Sequence, residues 1–169
     1  AAVTTGIQNT FIGGLAGDAN TTASNNTAVG YLSLSANTLG NENVSVGALA
    51  LDANTIGSQN TAVGKSALSE NTTASFNTAV GRQALRDNTT ASNNTAVGFN
   101  ALLANTTGAD NVAIGSRTLD ANTTGESNTA VGKGSLSANT TASNNAAFGA
   151  NTLLVNTTGG SNTGLGHGA

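Results

Sequence analysis

Apolar and polar residues recur with a fixed period of 17 along the chain. If the asparagine that opens each repeat is position 1, position 4 is always apolar and position 9 is leucine in eight of nine repeats. An unbroken period of this kind is typical of a solenoid, in which each repeat forms one coil stacked on the previous one. The coils open at Asn9, Asn26, Asn43, Asn60, Asn77, Asn94, Asn111, Asn128, Asn145 and Asn162.

The local pattern within each repeat favours strands over helices. The segment "NTAVG" is short, rich in β-branched residues and closed by glycine at position 5 in all ten copies, whereas a helix needs apolar residues three and four apart over about ten positions. A second strand or corner is expected at "ANTTG". The sequence therefore predicts an all-β, parallel β-solenoid (β-roll) of about ten 17-residue coils, forming a single domain over residues 1–169 and rising about 4.8 Å per coil.

Substitutions within a column predict which way that column faces. Positions 2 and 14 are mostly threonine but accept Val44, Leu39 and Ile56, so we expect both to point inward beside positions 4 and 9. Position 3 is nearly always alanine and would then form an outward stripe that packs against another chain. Charged residues occur only at positions 6, 7, 10, 11, 16 and 17, which are expected to face water.

Position 12 is asparagine in all nine full repeats. Side-chain amides stacked in register can hydrogen-bond to the copies above and below them, which satisfies their polar groups inside a solenoid. The sequence predicts a structural Asn ladder formed by Asn20, Asn37, Asn54, Asn71, Asn88, Asn105, Asn122, Asn139 and Asn156.

Seven members of this column also begin an Asn-Thr-Thr sequon, the acceptor signal for N-glycosylation. Asn37 and Asn54 keep the asparagine but lose the sequon, so the column is retained for a reason other than glycosylation, and the structural interpretation is favoured. The candidate glycosylation sites are Asn20, Asn71, Asn88, Asn105, Asn122, Asn139 and Asn156.

Composition narrows the function classes. Charged residues make up 8% of the chain and aromatic residues 3%, proline and cysteine are absent, and the net charge is -3. Disordered chains are usually rich in proline and charge, nucleic-acid-binding domains carry a basic patch, and a membrane-spanning helix needs about 20 apolar residues. The composition fits none of these classes, so periodic order is favoured.

Candidate chemistry is sparse. The only histidine, His167, has no acidic residue near it in sequence, and no phosphate-binding loop follows a strand. Asp18, Asp52 and Asp120 share position 10 but do not lie in adjacent coils, which disfavours calcium binding. We therefore predict no catalytic, cofactor or metal site, and no enzymatic activity.

The "NTAVG…AL…NTTG" pattern resembles the head repeats of trimeric autotransporter adhesins, whose strands read like "NSVAIG", and arrays in phage tail-fibre and bacterial surface proteins. The resemblance spans Asn9 to Leu165. It implies a parallel β-roll, often trimeric, that serves as a stalk or adhesive surface outside the cell, on the cell surface or in a virion fibre. A host surface or a glycan is the ligand that this resemblance implies.

Two functions remain open. The first is a structural or adhesive extracellular fibre protein that self-assembles, and the alternative is an ice-binding solenoid that uses the threonine column at position 13. Ala169 stands at position 8, and a chain beginning at Ala1 takes up the period again near position 10, so end-to-end filaments are expected. Trimerisation through the alanine stripe is the other mode of association.

Overall fold

A computed structural model describes residues 4–169 as one stack of coils, and Ala1 to Val3 lie outside the described residues. Its ten parallel strands form one sheet in chain order, and each strand pairs in register with the copy one repeat later, as Thr61 does with Thr78. The described residues contain no helix. The predicted all-β parallel β-solenoid is confirmed. The strands are β1 Thr10–Ile12, β2 Thr27–Val29, β3 Val44–Val46, β4 Thr61–Val63, β5 Thr78–Val80, β6 Thr95–Val97, β7 Val112–Ile114, β8 Thr129–Val131, β9 Ala146–Phe148 and β10 Thr163–Leu165.

Each coil contains one strand, at positions 2 to 4, and the second strand expected at "ANTTG" is absent from residues 4–169. That segment nevertheless bonds to the next coil through its backbone: the N–H of Thr38 donates to the carbonyl of Thr55 at 2.9 Å, and the N–H of Leu34 donates to Ala50 at 3.0 Å. Coil-to-coil hydrogen bonds therefore run around the whole perimeter, although only one side has extended geometry.

Left-handed backbone explains why the strand stops and the coil turns. The glycine at position 5 has φ between 115° and 135°, and a Cβ atom on Gly98 would lie 2.5 Å from the carbonyl oxygen of Gly115. The leucine at position 9 has φ between 49° and 54° in every coil from Leu34 to Leu153. This conformation costs a leucine about 1–2 kcal/mol, and burying the side chain offsets it by roughly 1.5–3 kcal/mol.

The predicted orientation of four columns is wrong. Position 3 faces inward, with Ala28, Ala62 and its equivalents fully buried, so the alanine stripe cannot contact another chain. Positions 2, 4 and 14 face outward, and Leu39 is 60% exposed and Ile56 49%. Small size at position 3 reflects a narrow interior, because the leucine at position 9 fills the space opposite and only a small residue fits beside it.

The first coil supports this volume argument. Position 9 is Gly17 there, and position 3 is Phe11 instead of alanine. A Cβ atom on Gly17 would lie 2.7 Å from the Phe11 ring, so the ring occupies the space that leucine fills elsewhere. The two positions have exchanged bulk across the interior.

The interior has two sides. We call positions 3, 8 and 9 the aliphatic half, because they carry alanine and leucine with occasional serine or threonine. We call positions 1, 12 and 15 the amide half, because two asparagine columns there surround a backbone carbonyl.

Candidate binding surfaces

The position 12 asparagines form a continuous amide ladder along the axis. The Nδ2 of Asn105 donates to the Oδ1 of Asn88 at 3.0 Å and to the carbonyl of Gly108 at 2.8 Å. The same pair of bonds recurs in successive coils. Asn20 through Asn139 are fully buried, and Asn156 in the last full coil is partly exposed. The ladder links the predicted asparagines Asn20, Asn37, Asn54, Asn71, Asn88, Asn105, Asn122, Asn139 and Asn156.

The asparagines at position 1 form a second ladder with a different pattern. The Oδ1 of Asn94 accepts the backbone N–H of Asn111 at 2.9 Å, while its Nδ2 donates to the carbonyl of Gly108 at 3.0 Å. The position 15 carbonyl therefore accepts from both columns. Sequence reasoning used position 1 only as the repeat origin, although its invariance was the available signal.

The geometry of the position 12 column opposes glycosylation. Both hydrogens of the Asn88 Nδ2 are engaged, one by the Oδ1 of Asn71 at 3.1 Å and the other by the carbonyl of Ala91 at 2.9 Å. A glycan replaces one of these hydrogens and needs open space, whereas Asn88 is fully buried. Modification of Asn88 in the folded chain would break the ladder, which supports the structural interpretation of this column.

The threonines at position 13 are committed to holding coils together. The Oγ1 of Thr106 donates to the carbonyl of Thr123 at 3.0 Å, and the backbone N–H of Thr106 donates to the same carbonyl at 2.9 Å. The hydroxyl of Thr72 does the same with Thr89 at 3.1 Å. From Thr38 to Thr140, the hydroxyls of this column, which is the basis of the ice-binding alternative, donate to carbonyls of the next coil.

A second threonine column lies on the outer face of the sheet. We call the outward residues at positions 2 and 4 of the strands the strand face. Position 2 is threonine in seven of ten strands and position 4 is apolar in all ten, with no charge at either. The hydroxyls of Thr61, Thr78 and Thr95 make no hydrogen bond within residues 4–169. These donors are available to an external partner.

Charged and aromatic groups lie along the flanks of the rod. The Arg82 guanidinium stands 5.8 Å from the ring centre of Phe99 one coil later, which is within cation–π range. Burial raises the pKa of the Asp52 carboxyl, and the nearby carboxylate of Glu70 raises it further. One oxygen of Asp52 is buried without a hydrogen-bond partner. Burial raises the pKa of Asp120 as well.

These groups do not converge on a centre. Asp18, Asp52 and Asp120 stay in separate coils, and no cluster of three or more His, Cys, Asp or Glu residues occurs among residues 4–169. His167 lies in the last partial coil, beside Asn151, Leu153 and Gly168 at the open end of the stack.

Comparison with known proteins adds no relative: no family model, curated protein or solved structure matches this chain. Within the described residues, no helix is long and apolar enough to cross a bilayer.

Proposed function

We propose that this chain is a segment of a structural, adhesive extracellular fibre, in which stacked coils provide a stiff rod. The observation that carries the proposal is the hydrogen bonding between coils. It uses backbone groups around the perimeter, two internal asparagine ladders and the position 13 hydroxyls, and it repeats from coil to coil. An assembly of this kind resists bending because every side of the coil is bonded to its neighbours.

The ladders are open at the end formed by the last coils. Asn156 is only partly buried and no amide of residues 4–169 donates to its Oδ1, whereas the Oδ1 of each buried ladder member accepts a bond from the following coil. Leu153 is also only half buried. A further coil would complete both sets of contacts, whether it belongs to the same polypeptide or to a second copy.

Adhesion is assigned to the flanks. The outward columns differ from coil to coil, and they carry the exposed aromatic rings of Tyr31 and Phe76 and the Arg82–Phe99 pair. Aromatic and arginine side chains are enriched in protein recognition surfaces. The resemblance to trimeric adhesin heads and tail-fibre arrays supports the same function, with a host surface or glycan as ligand. A trimer would have to form through an outward column, because the alanine column is buried.

Electron microscopy and sedimentation of the full chain test the proposal. A single stack of about ten coils is roughly 45 Å long, so self-assembly should give filaments that lengthen with protein concentration. Leu153→Lys places a charge on the stacking surface and should shorten them. Leu154→Lys is the matched control, because it changes position 10 on the flank, where Arg86 is already tolerated. Single rods at every concentration, or equal effects of both variants, would refute self-assembly.

A further inference from the structure

We infer that the strand face binds ice, and that its centre is the set of three consecutive "TAV" strands Thr61–Val63, Thr78–Val80 and Thr95–Val97. This goes beyond the fibre function, and it places ice contact on the sheet instead of the position 13 column. The three threonines and three valines of this centre point outward side by side.

The first step is the state of the hydroxyls. The threonines of the centre are half buried and their hydroxyls form no hydrogen bond within residues 4–169, whereas the hydroxyls at position 13, such as that of Thr106, donate to carbonyls. A free hydroxyl beside a methyl group can bond one water and order others around the methyl. In-register pairing places the same unit at the same level in the three adjacent strands of the centre.

The second step is spacing. Neighbouring strands lie about 4.7–4.9 Å apart. Water oxygens joined by hydrogen bonds of about 2.75 Å at tetrahedral angles place second neighbours about 4.5 Å apart. The strand spacing and the spacing of second-neighbour waters differ by a few tenths of an ångström per coil. A run of three coils therefore stays in register with an ice-like layer.

The third step excludes a protein or another charged macromolecule as the partner of the strand face, on the grounds of its area and its charge. Ten coils of about 4.8 Å and a width of two outward residues give a flat strip of roughly 400 Å², about half of the roughly 800 Å² that each partner contributes to a stable protein interface. The strip has no charge to orient a protein, nucleic acid or charged glycan. A periodic, uncharged partner such as a water lattice fits it better than a second copy.

The test measures thermal hysteresis and the inhibition of ice recrystallisation with the full chain. Thr78→Lys puts a charge in the centre of the face, and we expect a loss of at least about tenfold because the ammonium cannot be desolvated against ice. Ser116→Lys is the matched control: it adds the same charge at position 6, a column that already contains Lys65 and Lys133, and should leave activity unchanged.

Circular dichroism of both variants establishes that each still folds. No hysteresis and no inhibition by the unsubstituted chain would overturn the proposal, as would equal losses in the two variants. Sedimentation of the unsubstituted chain and of Thr78→Lys tests whether the face binds a second copy instead. A side-by-side oligomer that dissociates in Thr78→Lys would show that the face is a protein interface, and would also overturn ice binding. The fibre proposal is judged separately, by the filament length of the Leu153→Lys variant.

Discussion

The two halves of the rod interior are equally buried but tolerate change differently. In the aliphatic half, alanine gives way to Ser45 at position 3 and to Ser33 or Thr118 at position 8, and leucine gives way to Gly17 at position 9. In the amide half, neither asparagine column changes in any coil. Both halves pack against the preceding and following coils. Burial alone therefore does not explain why the aliphatic half accepts substitutions and the amide half does not.

The difference in tolerance arises because the hydrogen bonds of the amide half are directional, whereas the packing contacts of the aliphatic half are not. Packing contacts depend on volume, and the Phe11–Gly17 exchange shows that volume can be supplied from either side. An amide in the ladder must present a donor to one coil and an acceptor to the other, and only asparagine has both at this reach. The interior is therefore permissive where it is apolar and strict where it is polar.

The largest expected effect lies in the permissive half. Leu102→Ala removes a fully buried side chain that packs between Leu85 and Leu119, and should lower the free energy of unfolding by about 2–5 kcal/mol. Chemical denaturation with an unchanged m-value would measure it. A loss below that of the asparagine variant described next would contradict the idea that volume dominates this half.

Asn88→Ala should cost roughly 1–3 kcal/mol, because it leaves the Oδ1 of Asn71 without a donor and one N–H of Asn105 without an acceptor. Thermal melting compares this variant with Arg82→Ala, which changes an exposed flank residue and should stay within about 0.5 kcal/mol. Equal effects would contradict the assignment of the ladder as a stabilising element.

Ser45→Ala should be close to neutral, with a change below about 1 kcal/mol. The Ser33 hydroxyl currently donates to the Ser45 hydroxyl at 2.7 Å but also lies 2.9 Å from the Ser45 carbonyl, which alanine retains. Ser33→Ala with Ser45→Ala restores the usual alanine pair and serves as the control. A loss as large as that of Asn88→Ala would show that the aliphatic half is strict as well.

The smallest expected effect concerns a carboxyl on the flank. Because burial raises the pKa of Asp52, its ionised form opposes folding, and this penalty disappears as the pH falls through the raised pKa. Asp52→Asn should therefore raise stability at neutral pH by about 0.5 kcal/mol and give no gain in acid. Melting curves of the unsubstituted chain and of Asp52→Asn between neutral and acidic pH check this. A stability gain that grows on acidification would show that the ionised carboxylate of Asp52 favours folding, contrary to this prediction.

Sequence reasoning predicts this fold well because the period itself carries the information. A strict 17-residue repeat, with two invariant asparagine columns and leucine at position 9 in eight of nine repeats, requires stacked, equivalent coils, and the solenoid follows without knowledge of any dihedral angle. The inward leucine at position 9 follows from the same regularity.

The outer face of the strand could not be predicted by the same rule. Apolar residues at positions 2 and 4 indicate burial in an ordinary domain, but here the interior is too narrow for them beside Leu85 and its equivalents. The left-handed leucines are a second reason, since an L-residue with this backbone is uncommon and no sequence pattern announces it. Assignment of a binding surface depends on both, because they decide which threonine column keeps its hydroxyls free.

The amide ladder also makes the length of the rod proportional to the number of its repeats. Each coil contacts only the coils before and after it, and the bonds it offers to one side match those it accepts from the other. A whole repeat can therefore be inserted or deleted while the ladder bonds between the remaining coils are kept, and each one changes the length by about 4.8 Å. The number of repeats therefore sets the length of the rod, and duplication or loss of a repeat changes that length in uniform steps while the bonding between coils stays the same.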